Sequence, residues 1–274
     1  MHPLDGPRLK IRRAEEQIKR LSLMEDSFKE NTKYNIIGSE LNLKSGNYVY
    51  RMRVNGPPLP VGAWGIYIGE IAYNLRSALD QLVYQLALLN TPAVTVAMNK
   101  SLQFPIFRRR INADTRIPTF ERGRKRMIGL LSPKHQTDIE RLQPYKRKSL
   151  VPFEAIKGTG KRRCNNPLFW LEEINNADKH RLIQVVSIRP GIGIVIDNSG
   201  ISHDGTFSKI RVIELKDGAK FGEAPAGMKV NASIFPNISF KSGCKVVRNM
   251  PVTYVFNSII EYVPKIIDIF SHEF

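Results

Sequence analysis

Residues 61–89 read VGAWGIYIGEIAYNLRSALDQLVYQLALL, and this stretch decides what kind of fold the chain can adopt. Trp64, Ile68, Ile71, Leu75, Ala78, Leu82 and Leu86 recur at three- and four-residue steps. Only a helical repeat of about 3.6 residues brings such positions onto one face. Leu79 and Val83 widen the stripe. An apolar face that broad predicts a central helix with neighbours on more than one side.

Those neighbours can be sought on either flank. Upstream, Ile11, Ala14, Ile18, Leu21, Met24 and Phe28 keep the same period, with Arg12, Arg13, Glu15, Glu16, Lys19 and Arg20 between them. The spacing predicts an amphipathic helix from Pro7, whose missing N–H suits a first turn, to about Asn31. Tyr34–Leu43 and Tyr48–Val54 then change to a strand-like pattern around the turn Lys44-Ser45-Gly46-Asn47, which predicts a hairpin. The run Gly56-Pro57-Pro58-Leu59-Pro60 breaks regular structure before the central helix.

Downstream, Ser132 before Pro133 is a capping signal for a helix reaching Leu142. A further helix starts at Asn166-Pro167 and carries Leu168, Leu171 and Ile174. From Leu182 to about Val247 the period becomes that of strands: Ile183–Val186, Gly193–Ile196, Ile210–Ile213 and Met228–Phe240 are separated by Gly, Asp and Asn turns. Pro251 to Phe270 closes the chain as a helix with Val255, Ile259, Tyr262, Val263, Ile266 and Phe270 on its apolar face. The expected fold is α+β. Residues 1–181 form a helical bundle with an N-terminal β-hairpin and a basic segment over 105–163; residues 182–250 are a β-rich insertion; residues 251–274 return to the bundle.

The composition bounds the function. With 274 residues and 42% hydrophobic residues, a sizeable core can be buried, so disorder does not explain the charge. That charge is +17, with 42 Lys and Arg against 25 Asp and Glu. Such a field attracts polyanions and makes their binding strongly salt-dependent. Cys164 and Cys244 form no C-x-x-C pair, and the five histidines (2, 135, 180, 203 and 272) have no ligand spacing, so neither a disulfide framework nor a metal site is expected. No apolar run approaches the roughly 18–20 residues of a membrane span, and no signal core opens the chain; the expectation is a cytoplasmic protein.

The positive charge is concentrated. Between Pro105 and Arg163 lie seventeen Lys and Arg and five acids, a surplus of twelve. The clusters are Arg108-Arg109-Arg110, Arg122-Gly123-Arg124-Lys125-Arg126, Lys146-Arg147-Lys148 and Lys161-Arg162-Arg163, with Phe104, Phe107, Phe120 and Tyr145 interleaved. Arginine forks match phosphate oxygens, and aromatic faces match unstacked bases. The competing reading is a set of solvated loops.

Two constellations could carry chemistry. On the central helix Arg76 and Asp80 are four apart and share a face with Tyr84, as an ion pair or a site. Asn175-Asn176-Ala177-Asp178-Lys179-His180-Arg181 closes an apolar helix. There Asp178 could orient the His180 ring while Lys179 and Arg181 hold a phosphate; the alternative is a polar helix end, where cations are favoured. Gly158-Thr159-Gly160-Lys161 lacks the spacing of a nucleoside-triphosphate loop.

With these residues in view, the chain resembles a set of uncharacterised bacterial proteins that share Gly-Asp-x-x-His-Asn-Leu-Arg-Ser-Ala-Leu-Asp-His and a later Asp-Lys-His-Arg. Here the first reads Gly69-Glu70-Ile71-Ala72-Tyr73-Asn74-Leu75-Arg76-Ser77-Ala78-Leu79-Asp80-Gln81, and the second is intact at Asp178–Arg181. Those proteins are in turn similar to the HEPN superfamily, through an Arg, four residues, then His. The resemblance implies a helical bundle that often dimerises, and a metal-independent ribonuclease chemistry in which Arg76 stabilises phosphate charge. It also places a His at position 81, where this chain has Gln, which cannot exchange a proton at neutral pH.

The expected function is therefore nucleic-acid binding, to RNA or single strands, through the basic segment, without a cofactor. The alternatives are a metal-independent ribonuclease using Arg76, Asp80, Asp178 and His180, and a non-enzymatic subunit that meets an acidic protein. A homodimer or a nucleoprotein complex is the expected assembly.

Overall fold

The computed structural model describes residues 2–91, 93–108, 119–146, 166–179, 185–191, 216–224, 235–242 and 246–274. The central helix, α2, runs Val61–Asn90. No proline interrupts it, and Pro60 stands just before its first residue. Its stripe is buried as the periodicity predicts: Trp64, Ile68, Ile71, Leu75, Ala78, Leu79, Leu82, Val83 and Leu86 are all in the core. Three helices pack against it: α1 (Asp5–Glu30), α6 (Pro167–Lys179) and α7 (Val252–Ile269). These surround α2 because its apolar arc is too wide for one partner to cover.

Two short helices lie between α2 and α6 beside the brief turn α3 (Val96–Asn99): α4 (Thr119–Met127) and α5 (Pro133–Arg141). The predicted cap of α5 is present, since the Ser132 hydroxyl accepts a hydrogen bond from the His135 N–H at 3.2 Å. Helix α4 falls inside the basic segment, where the run of like charges hides its period. Its inward positions, Phe120 and Gly123, are buried, with Met127 partly so, while Lys125 and Arg126 are exposed. Backbone position places residue 122 on the same outer stripe as 125 and 126.

The hairpin is β1 (Lys33–Asn42) and β2 (Asn47–Asn55), antiparallel, turning through Gly46 at φ +68°. The left-handed conformation there is one that a Cβ disfavours. The described strands of the strand-rich region fall into two sheets. β4 (Lys220–Ala224) pairs antiparallel with β2, Tyr48 opposite Ala224, and gives the sheet order β1-β2-β4. Glu223 fastens that edge by accepting from Asn42 Nδ2 at 3.1 Å and Ser45 Oγ at 3.2 Å. β3 (Val185–Gly191) and β5 (Phe235–Ser242) make a separate antiparallel ribbon. The buried Glu25 of α1 accepts from Ile238 N on β5 at 3.3 Å. The runs Gly193–Ile196 and Ile210–Ile213 lie outside the described residues, as do Cys164, Cys244 and Gly158–Lys161.

The fold is thus mixed α+β and mostly helical, with the hairpin after the first helix and a last helix back on the bundle. Among the described residues no helix is long and apolar enough to cross a membrane.

Candidate nucleic-acid interface

On α2, Gly69 and Arg76 lie against α6, and the partly buried Asp80 follows one turn beyond Arg76. Arg76 is itself buried, and each of its three guanidinium nitrogens is engaged. Nη1 donates to Glu172 Oε2 of α6 at 2.8 Å, Nε donates to Asp80 Oδ2 at 3.3 Å, and Nη2 donates to the Phe104 carbonyl at 2.6 Å. Asp80 Oδ1 in turn accepts the Phe104 N–H at 2.8 Å. Both backbone groups of Phe104, a fully buried residue, are therefore satisfied by side chains of α2. The pair that the sequence offers as a catalytic site holds the start of the basic segment against the core.

A second clamp sits three residues further on. Gln143, fully buried at the end of α5, accepts the Phe107 N–H at 2.9 Å through Oε1. Its Nε2 donates to the Pro105 carbonyl at 2.7 Å and to Ile139 O at 3.1 Å. The Phe107 ring packs edge-on to Phe120 of α4, with ring centres 6.3 Å apart. It also lies directly under Gly123, where a Cβ would come within 2.4 Å of its Cζ. That explains a glycine in the middle of a basic helix. The ring occupies the space a side chain would need.

Phe107, Gly123 and Gln143 thus tie together the segments that carry Arg108, helix α4 and Lys146. Arg108 follows Phe107 directly, and its guanidinium lies 5.1 Å over the Phe169 ring of α6. Lys125 and Arg126 project from α4 with no ion pair among the described residues. Arg124 is paired with Glu121 at 2.9 Å, and Lys146 with Glu140 at 2.7 Å. Those two pairs, the first exposed and the second half-buried, weaken the field without removing it. Arg109, Arg110, Arg147, Lys148, Lys161, Arg162 and Arg163 lie outside the described residues, as does the side chain of Arg122.

Asp178 of the second motif reaches the first motif on α2. Asp178, near the end of α6, packs on Gly69 of α2 so closely that a Cβ there would be 2.3 Å from its Oδ1. Together with the Arg76–Glu172 pair, this contact makes α6 run antiparallel to α2. Burial pushes the Asp178 carboxyl above its ordinary pKa. Gly69 and Arg76 are seven residues apart, so Asp178 lies about 10 Å along α2 from Arg76. His180, Arg181 and the side chain of Lys179 lie outside the described residues. Gln81 points at Gly6 of α1, with its Oε1 buried and unpartnered among the described residues.

Sequence reasoning missed Glu172, Gln143 and Gly123. Glu172 carries no local signal, and Gln143 sits just beyond a short helix. Gly123 was visible as an odd residue between arginines, but its reason is a ring sixteen positions earlier. Among the described residues no group of three His, Cys, Asp or Glu is placed to hold a metal. Compared with protein-family models, curated proteins and solved structures, the chain matches none.

Proposed function

We propose that this chain binds nucleic acid through its basic segment and does not cut it. The observation that supports the reading is the knot of Phe107, Gly123 and Gln143, which fixes the chain beside Arg108, helix α4 and Lys146. Solvated loops have no need of a buried glutamine and a ring-filled glycine to fix their roots. A gathered cationic face is the electrostatic footprint of a polyanion site.

Three features argue for binding without cleavage. Arg76 has its donors engaged by two carboxylates and a carbonyl, so a phosphate would have to displace partners already in place. Gln81 stands where the HEPN-like pattern has its proton-transferring His. Asp178 is two helical turns from Arg76. Kinship with the HEPN superfamily remains part of the proposal at the level of the α2 motif, now with the role of a clamp for its Arg76 and Asp80.

The test is incubation of labelled RNA and DNA with the purified chain in EDTA, over a salt series. Retarded, uncut nucleic acid with affinity falling steeply as salt rises is the expected result. Cleavage that disappears in Arg76→Lys, with the variant still folded, would favour the ribonuclease reading. Absence of any complex at low salt would leave the acidic-protein partner.

A further inference from the structure

The sequence interleaves aromatics with the basic clusters, a pattern that suits stacking on unpaired bases. The structure spends those aromatics elsewhere. Phe104 is fully buried and Phe120 is 3% exposed. Phe107 is wedged between Phe120 and Gly123. Tyr145 is half-buried, with the Lys146 ammonium 5.6 Å over its ring and its hydroxyl 3.4 Å from Glu140 Oε1. Phe169 is covered by Arg108. Phe104, Phe120 and Phe169 are buried and Phe107 is wedged, which leaves Tyr145 as the half-open ring of these five. Phe153 lies outside the described residues.

What the described face does present is cation. Lys125 and Arg126 are exposed on the outer stripe of α4, and Arg108 is exposed and steered by its ring partner. Proteins that hold single strands combine a basic groove with aromatic platforms under successive bases. A face whose described residues offer many cations and little open aromatic surface reads phosphates more than bases. For such a reader the denser polyelectrolyte binds more tightly. A duplex carries a charge every ~1.7 Å of its axis, against ~3.4 Å along either strand.

We infer that this face takes the sugar–phosphate backbone of a double helix in preference to an unpaired strand, without reading base sequence. The inference rests on the nucleic-acid reading above and narrows its substrate. It departs from the expectation of single strands, because that expectation depended on aromatics most of which the fold turns inward.

Fluorescence anisotropy distinguishes the possibilities, using a labelled duplex and its separated strands, in RNA and DNA form, over the same salt series. The expected result is a duplex bound roughly tenfold more tightly than either strand, in RNA, DNA or both. Scrambled sequences should bind alike, and the salt slope should be steeper for the duplex by about 0.9 to 0.7 for equal phosphate contacts. A strand bound as tightly as its duplex would overturn the inference while leaving nucleic-acid binding intact. Failure of all forms to bind at low salt would remove both. The double variant Lys125→Glu/Arg126→Glu changes only exposed side chains, and circular dichroism checks its fold. It should weaken duplex binding by about tenfold or more, and unchanged affinity would show that α4 is not the contact.

Discussion

Removing the Arg76 side chain would take the cationic partner from Asp80 and Glu172 and the side-chain donor from the Phe104 carbonyl. Both carboxylates are partly exposed and keep bonds from Phe104 N and Asn176 Nδ2, so the cost is that of unsatisfied polar groups, roughly 1–3 kcal/mol, below that of a fully buried pair. Arg76→Ala should lose stability on that scale in urea unfolding. Arg76→Lys should recover only part of it, since an ammonium cannot span three acceptors in a plane. A residue kept only for chemistry would show a far smaller loss. Glu273 makes a different prediction. Lys134 donates to it, His135 Nε2 lies 3.2 Å away and His272 Nε2 lies 2.9 Å away. The Lys134 hydrogen bond, followed by that of His135, lowers its carboxyl to about 2 from the ordinary 4.5. Being depressed in the folded state, it contributes stability above about pH 4.5 that is lost as pH falls towards 2. A thermal-unfolding series over that window should show a smaller acid loss for Glu273→Gln than for the parent chain. Equal slopes would mean that the carboxylate contributes nothing there.

Helix α4 illustrates how an element too short and too charged to be stable alone is held in place. Nine residues with three cations in the last turn, Arg124 to Arg126, have the favourable end of the helix dipole but little else. Phe120 and the Phe107 ring under Gly123 supply the rest by packing. Gly123→Ala tests this directly. Its Cβ would sit 2.4 Å from Phe107 Cζ, so the ring or the helix must shift. The overpacking cost should be about 1–3 kcal/mol by urea unfolding, although alanine is the better helix former. The same change should weaken nucleic-acid binding, because Arg108 follows Phe107 and would move with it. A more stable variant, as helix propensity alone predicts, would mean the wedge contributes nothing. The β elements carry a parallel lesson. β4 is short and weakly patterned, yet it joins β2 of the hairpin about 170 residues earlier.

At the scale of the whole molecule the charge and the core answer to different rules. The apolar period of residues 61–89 was readable in advance because helical sidedness is a local property, repeated every few residues. The hairpin, the α5 cap and the last helix were readable for the same reason, as was the net charge of +17, which needs no coordinates. What only tertiary structure decided was the use to which the conspicuous residues are put. Arg76 finds its partners 28 and 96 residues away in sequence, and Gln143 reaches back 38 to Pro105. No spacing rule spans such separations. The aromatics of the basic segment look alike as letters, whether they face bases or the core; burial turned Phe104 and Phe120 inward because the alternative left apolar rings in water. Composition determined that this chain carries a field for polyanions. Long-range packing decided which cations stand outside to meet one, since the free energy of a side chain depends on neighbours that the chain brings together only by folding.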